Sequence, residues 1–179
     1  MIISKTPLRV SFAGGGTDLP NFCNKERGAV ISTAIKKYVY IVIHPSFDKY
    51  NLIAYSKIEK TPIVNEIENT RVREAMKMAG ITKGVEIHSI AEVPSGTGLG
   101  SSSSFTVGLL NALYAYQGKH VSAERLAREA CKIEIDILKE PIGRQDQYAA
   151  AFGGINKIEF LEEFTRVKPL IFENKIKKE

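Results

Sequence analysis

Pro94-Ser95-Gly96-Thr97-Gly98-Leu99-Gly100-Ser101-Ser102-Ser103-Ser104 is the stretch on which the reading of this chain turns. Before it, Val85, Ile87, Ser89, Ala91 and Val93 alternate with Glu86, His88, Ile90 and Glu92, the period of a half-exposed strand that runs into Pro94. After it, an apolar helix extends to about Tyr116, with Gly118 as its stop. A strand, a glycine-rich turn and a helix that opens on serines form a physical recipe for holding a phosphate. Unpaired N–H groups and the positive end of the helix macrodipole point at one place, and glycine lets the ligand approach the backbone. A simple turn with a serine N-cap needs one serine, whereas this loop carries three glycines and runs into four consecutive serines, Ser101 to Ser104. Its spacing is neither the dinucleotide pattern nor a Walker loop, since the third glycine comes one residue early and no Gly-Lys-Ser/Thr follows. The hydroxyls of Ser101 and Ser102 are also placed to ligand a magnesium ion, a hard cation that prefers oxygen.

Working outward, short runs rich in Val, Ile, Tyr and Phe predict strands at 8–13, 29–35, 38–44 and about 51–55. Tyr38, Tyr40, Val42 and His44 share one face of the third. Ile67, Val72, Ala75, Met76 and Ala79 predict an amphipathic helix over 66–79 that Gly80 closes. Further helices are expected from Ser122 to about Leu138 and from Asp146 to Ala151, and a strand from Ile155 to Phe160; residues 161–179 give no signal. Strands followed by helices suggest an α+β layer arrangement.

With 179 residues, 44% hydrophobic and 25% charged, the chain reads as one folded domain, which excludes disorder, collagen-like repeats and coiled coil. The net charge of +5 favours anionic partners in general. The basic residues are spread from Lys5 to Lys178, however, so no nucleic-acid footprint is concentrated anywhere, and the run Lys175–Lys178 reads as a solvated tail. Cys23 and Cys131 lie far apart outside any paired ligand motif, as expected for reduced thiols in a cytoplasmic protein. Met1 to Pro7 lacks the apolar stretch of a secretory signal. The longest uncharged stretch, Ser95 to Gly118, is too broken by glycines, serines, Asn111 and Gln117 to span a membrane. His44, His88 and His120 are widely separated in unlike contexts and no nucleophile elbow occurs, so a hydrolytic triad is not indicated.

Two acids stand out. On the helix from Ser122, Arg125, Arg128, Glu129, Lys132, Asp136 and Lys139 make a charged face and Leu126, Ala130, Ile133, Ile137 and Leu138 an apolar one. Glu134 lies beside the apolar stripe, where an unpaired charge is costly, so it meets either a structural cation such as an arginine or a metal. Asp146 sits in Gly143-Arg144-Gln145-Asp146-Gln147-Tyr148, directly before Ala149-Ala150-Ala151, and reads either as a partly buried acid or as a helix N-cap. Gly14-Gly15-Gly16-Thr17-Asp18, after a strand ending at Phe12-Ala13, is a second glycine-rich turn.

Taken together, the motifs from Pro7 to Asp18, from Pro94 to Ser103 and from Gly143 to Gly154 resemble those of the GHMP small-molecule kinases, and look most like its sugar-phosphate branch, which includes heptose 7-phosphate kinases. The resemblance implies a two-lobed α+β fold in which residues 1–160 form an N-terminal lobe. That lobe would have a mixed or antiparallel sheet, helices on one side and a ribosomal-protein-like βαβ unit with a left-handed crossover. Residues 161–179 would be a tail or the start of a C-terminal lobe.

The resemblance also implies roles. Pro94, Gly96, Gly98, Leu99, Gly100, Ser101, Ser102 and Ser103 would wrap the ATP phosphates, Ser101 with Glu134 would hold Mg²⁺, and Asp146 would take the acceptor hydroxyl's proton with Arg9 in support. Gly16, Thr17, Asp18 and Gln145 would face the acceptor, Asp18 binding sugar hydroxyls. The expected activity is ATP-dependent phosphoryl transfer to a sugar or sugar phosphate, with heptose 7-phosphate at its anomeric hydroxyl as the leading acceptor. Relatives carry a further glycine-rich motif in a C-terminal lobe. The alternatives are therefore a non-catalytic fragment, an RNA- or partner-binding module, or a half-enzyme that needs a separate lobe, and the face left bare could support a homodimer.

Overall fold

The computed structural model describes residues 1–94, 96–162 and 164–171. In chain order they form β1 (Ile2–Ala13), α1 (Pro20–Cys23), β2 (Gly28–Pro45), β3 (Asn51–Ala54), β4 (Ile58–Thr61), α2 (Thr70–Ala79), β5 (Val85–Ala91), α3 (Ser101–Tyr116), α4 (Ala123–Cys131), α5 (Gln145–Phe152), β6 (Ile155–Phe160) and β7 (Thr165–Pro169). A short 3₁₀ turn, Val64–Glu66, precedes α2, and a π-helical segment, Lys132–Ile137, continues α4.

β2 organises the sheet. One edge pairs antiparallel with β1, from Ile2 opposite Ile43 to Ala13 opposite Ile31. The other edge is shared, Gly28–Thr33 lying beside β6 and Val39–Pro45 beside β5. Where two strands were expected at 29–35 and 38–44, there is one of 18 residues. Pro7 faces Tyr38 while Leu8 faces Ile35, so Lys36 and Lys37 bulge out unopposed. That exposed charged pair interrupts the apolar alternation without ending the strand.

The seven strands run β4-β3-β5-β2-β6-β7 with β1 on the far edge of β2. β3 beside β5 is the one parallel pair among the described strands, and the path β3, β4, α2, β5 is the βαβ unit. Asn69 caps α2 by accepting from the Val72 N–H, and Gly80 ends it in the left-handed conformation. β4, α1 and β7 were not expected. β7 has a single apolar residue between charged neighbours, which suits an edge strand but leaves little pattern to read. It pairs with β6, so the sheet continues past Phe160. The run Lys175–Lys178 and Ser95 lie outside the described residues.

Leu8, Val39, Ile41, Ile43, Ile53, Val85 and Ile87 are buried on the helix side of the sheet. The other face keeps Ile3 and Ile90 exposed and carries Lys5 over the Tyr38 ring at 3.9 Å. α3 is apolar nearly all round, as a helix enclosed by other elements must be. It lies against β1 through Gly108, whose carbonyl accepts from Ser4 Oγ at 2.8 Å. A Cβ there would stand 2.5 Å from Thr6 Oγ1. Gly108→Ala is accordingly expected to destabilise the fold by about 1–3 kcal/mol, read from urea unfolding; an unchanged midpoint would mean that α3 can move off β1 freely. No described helix is long and apolar enough to cross a membrane.

Candidate active site

The phosphate-type loop is built from left-handed glycines: Gly96, Gly98 and Gly100 have φ of +81°, +72° and +72°. Gly100 is the N-cap of α3 and offers no side chain, and the first turn holds no acid. The first amides of a 16-residue helix therefore lack a side-chain acceptor and face outward with the positive end of the dipole. β1 clamps this loop: the Arg9 N–H donates to Leu99 O at 3.1 Å, and Arg9 Nη1 donates to Gly98 O at 2.6 Å. Ser101 and Ser102 border a small cavity of about 240 Å³ with apolar walls at Val39, Ala91, Val93 and Phe105.

Arg9 also carries the loop's link to the candidate base. Its Nε donates to Asp146 Oδ1 at 2.7 Å, and Nη2 lies 2.6 Å from the same oxygen. Asp146 stands in the first turn of α5 and approaches the loop so closely that a Cβ on Gly100 would lie 3.1 Å from Oδ2. Burial pushes its carboxyl above the usual carboxylate range, Arg9 opposes this, and Asp18 and Glu134 add to it. A half-buried carboxylate made more basic, next to unpaired helix amides, is an arrangement suited to accepting a proton beside bound phosphate. Gly100→Ala strains the loop and presses on Asp146 together, so any affinity of the loop for a phosphate-bearing ligand is expected to fall about tenfold or more, read by calorimetry with a nucleoside triphosphate as the probe. Unaltered affinity would remove the loop from nucleotide binding.

The expected acceptor residues are mostly engaged inside the protein. Asp18 is 2% exposed. Its Oδ2 accepts from the Gln145 N–H at 2.9 Å and its Oδ1 from Gln145 Nε2 at 3.3 Å, so it holds the start of α5. Gly143 admits it, since a Cβ there would overlap Oδ2. Gln145 Oε1 in turn accepts from Ser11 Oγ at 3.0 Å. Thr17 Oγ1 bonds to Gly14 O at 2.7 Å and receives the Ala29 N–H at 3.0 Å, tying the turn to β2. Gly16 alone of the four is exposed.

Glu134 is wholly buried, and the cation it meets is an arginine. Oε1 receives Thr106 Oγ1 at 2.6 Å and Arg71 Nε at 3.4 Å; Oε2 receives Ser103 Oγ at 2.8 Å and Gln147 Nε2 at 2.5 Å. The π segment widens the helix at this point and turns Glu134 inward, leaving Ile137 42% exposed where a regular helix predicts burial. On α3 the hydroxyls that reach it are Ser103 and Thr106, three apart on one face; Ser101 lies about 200° around the helix from Ser103 and makes no bond to Glu134. Four side-chain donors face the carboxylate, and Ser101 is not among them. Arg71, Thr106 and Gln147 were missed by sequence reasoning, although two hydroxyls three apart on an otherwise apolar helix are a readable sign of a buried polar partner.

Both cysteines are free. Burial above all, then the Glu134 charge, pushes the Cys131 thiol up and leaves it inert as a nucleophile. A cleft of about 940 Å³ lies along α4, with Asp18, Gly143 and Arg144 among its lining residues.

The family model described as the GHMP kinases N terminal domain matches residues 62–154, just over half of the chain. The chain belongs to the GHMP kinases. It is 34% identical over 194 aligned residues to a D-glycero-alpha-D-manno-heptose 7-phosphate kinase of Campylobacter jejuni, covering 99% of this chain and 56% of the relative. It is 28% identical to a galactokinase of Pyrococcus furiosus, covering 92% and 47% respectively. Among solved structures, a D-glycero-D-manno-heptose 1-phosphate kinase from Bacteroides thetaiotaomicron superposes with a TM-score of 0.91 at 29% identity, over 98% of this GHMP kinase chain and 62% of that one. The chain spans about half the length of the curated relatives it matches.

Proposed function

We propose that this chain is the nucleotide-binding lobe of an ATP-dependent sugar or sugar-phosphate kinase. The observation that carries the reading is the Arg9–Asp146 pair set against the open N-terminus of α3. ATP phosphates would lie on the amides of Gly96–Ser103, with the base in the apolar recess beside Ser101 and Ser102. Asp146 would take the proton of the acceptor hydroxyl as that oxygen attacks the γ-phosphorus and the bond to the ADP oxygen breaks, while Arg9 holds the carboxylate in place and adds positive charge nearby.

Mg²⁺ would arrive on the ATP phosphates and meet the Ser101 hydroxyl, since such ions usually keep several waters and rely on substrate phosphates. Asp18, Thr17 and Gln145 would shape the acceptor pocket by positioning α5 and the turn before it, with Gly16 at the opening. A heptose phosphate is the favoured acceptor because the heptose kinases above share more of this sequence than the galactokinases do. Heptose 7-phosphate phosphorylated at its anomeric hydroxyl is the specific proposal, in the cytoplasm.

Phe12, Leu19, Phe22 and Phe152 are exposed around the segments that build the site. We assign that apolar rim to packing of further chain or of a second copy. The spread of basic charge and the acids at the site argue against an RNA surface.

The deciding experiment is calorimetric titration of Mg-ATP into the chain, with Ser101→Ala alongside. Saturable binding that the substitution weakens supports the reading and justifies comparing heptose 7-phosphate, heptose 1-phosphate and galactose as acceptors. Absence of binding both here and in a chain extended to the relatives' length would overturn it.

A further inference from the structure

His44 and His88, far apart in sequence, meet on the bare face of the sheet. The antiparallel register sets His44 of β2 directly opposite Glu86 of β5, and His88 follows Glu86 by two residues on the same face. The two rings stack with centroids 6.0 Å apart and an interplanar angle of 11°. Glu86 Oε2 lies between them, 3.3 Å from His44 Nε2 and 3.7 Å from His88 Nε2. His44 Nδ1 is 3.0 Å from Pro45 O, and in the tautomer that donates from Nδ1 to that carbonyl the Nε2 atom is available as a metal ligand. All three side chains are partly exposed, at 36%, 25% and 41%. Lys60, which acts electrostatically on Glu86, is itself paired with Asp48.

We propose that His44, Glu86 and His88 bind a single divalent transition-metal ion of the zinc class. Two neutral imidazoles and one carboxylate are a donor set that such ions favour, with a fourth position left to water. The three ligand atoms already lie within 4.8 Å of one another. Zinc–ligand bonds of about 2.1 Å place tetrahedral ligand atoms about 3.4 Å apart, so the widest edge must close by no more than about 1.4 Å. Side chains with this exposure on two hydrogen-bonded strands can make that adjustment by small rotations. The bound ion would clasp β2 to β5 from the side that no described helix covers, away from the phosphate-type loop and independent of the kinase reading.

The test is titration of Zn²⁺ into the tag-free, chelator-stripped chain at neutral pH by calorimetry, repeated with Co²⁺ and visible absorption. His44→Ala, His88→Ala, the double substitution and Glu86→Gln are compared, with far-UV circular dichroism to verify that each folds. One equivalent of metal is expected, with affinity reduced about tenfold or more by each single substitution and abolished by the pair. Zn²⁺ should raise the melting temperature of the parent chain and not that of the double variant. Binding as tight in the folded double variant, or no binding at millimolar Zn²⁺, overturns the proposal.

Discussion

Asp146→Asn in the complete enzyme is expected to lower turnover by about a hundred- to ten-thousand-fold with Mg-ATP affinity nearly unchanged. The substitution keeps the shape of the side chain and removes the proton acceptor, while the groups proposed to hold the phosphates, the amides of Gly96–Ser103, are untouched. Steady-state rates and nucleotide titration on the same preparation separate the two effects. A near-normal rate would reassign Asp146 to a structural role at the start of α5.

The pH dependence gives a second view of the same group. The base must be unprotonated to act, and burial holds the Asp146 carboxyl above its usual range, so kcat/KM should fall on the acid side through an elevated pKa. Arg9 is the group that lowers it. Arg9→Ala should therefore move that acid limb to higher pH as well as reduce the rate. A limb that stays put would mean that the titration belongs to another residue.

Glu134→Ala is expected to destabilise the fold by about 3–5 kcal/mol, because removing one partner of a buried network leaves Arg71, Ser103, Thr106 and Gln147 facing an empty carboxylate site. For a domain of this size that is a fall in melting temperature of about 10 °C. The measurement belongs in excess chelator, so that no metal contributes. Were Glu134 chiefly a metal ligand, removing a buried charge in the absence of metal would leave stability unchanged or raise it, and such a result would defeat the structural assignment. Glu134→Gln, which keeps one acceptor and most of the shape, should cost clearly less.

Local signals were sufficient for the elements whose information is local. The strand from Val85, the loop and the helix from Ser101, the helix start at Ser122 and the Gly80 stop are each set by residues within one turn of themselves. The three motifs pointed to the family for a related reason: glycines at 96, 98 and 100 take φ values that other residues resist, so the pattern is tied to the backbone. Where the expectation departed from the fold, neighbours distant in sequence had decided the outcome. Lys36 and Lys37 read as a break, yet they are a bulge because β1 carries the register across them. Thr165–Pro169 read as nothing, yet it is a strand because β6 offers it a free edge.

The same division runs through the site. Glu134 was recognisable as a carboxylate beside an apolar stripe, and the choice between arginine and metal stayed open because Arg71 is 63 residues away and only the packing of α2 against the π segment brings them together. Asp18 was recognisable as part of a motif, but its burial against Gly143 and its bonds to Gln145 depend on a contact across 127 residues. His44 and His88 looked unrelated until the β2–β5 register placed them ring to ring. The sequence by itself determined the class of the fold, the phosphate-type loop and the identity of the acids, because these rest on short-range backbone preferences and residue chemistry. The tertiary structure alone decided which partner each buried charge has, because a charge in a low-dielectric interior is defined by the groups a few ångströms away, and chain distance does not encode those.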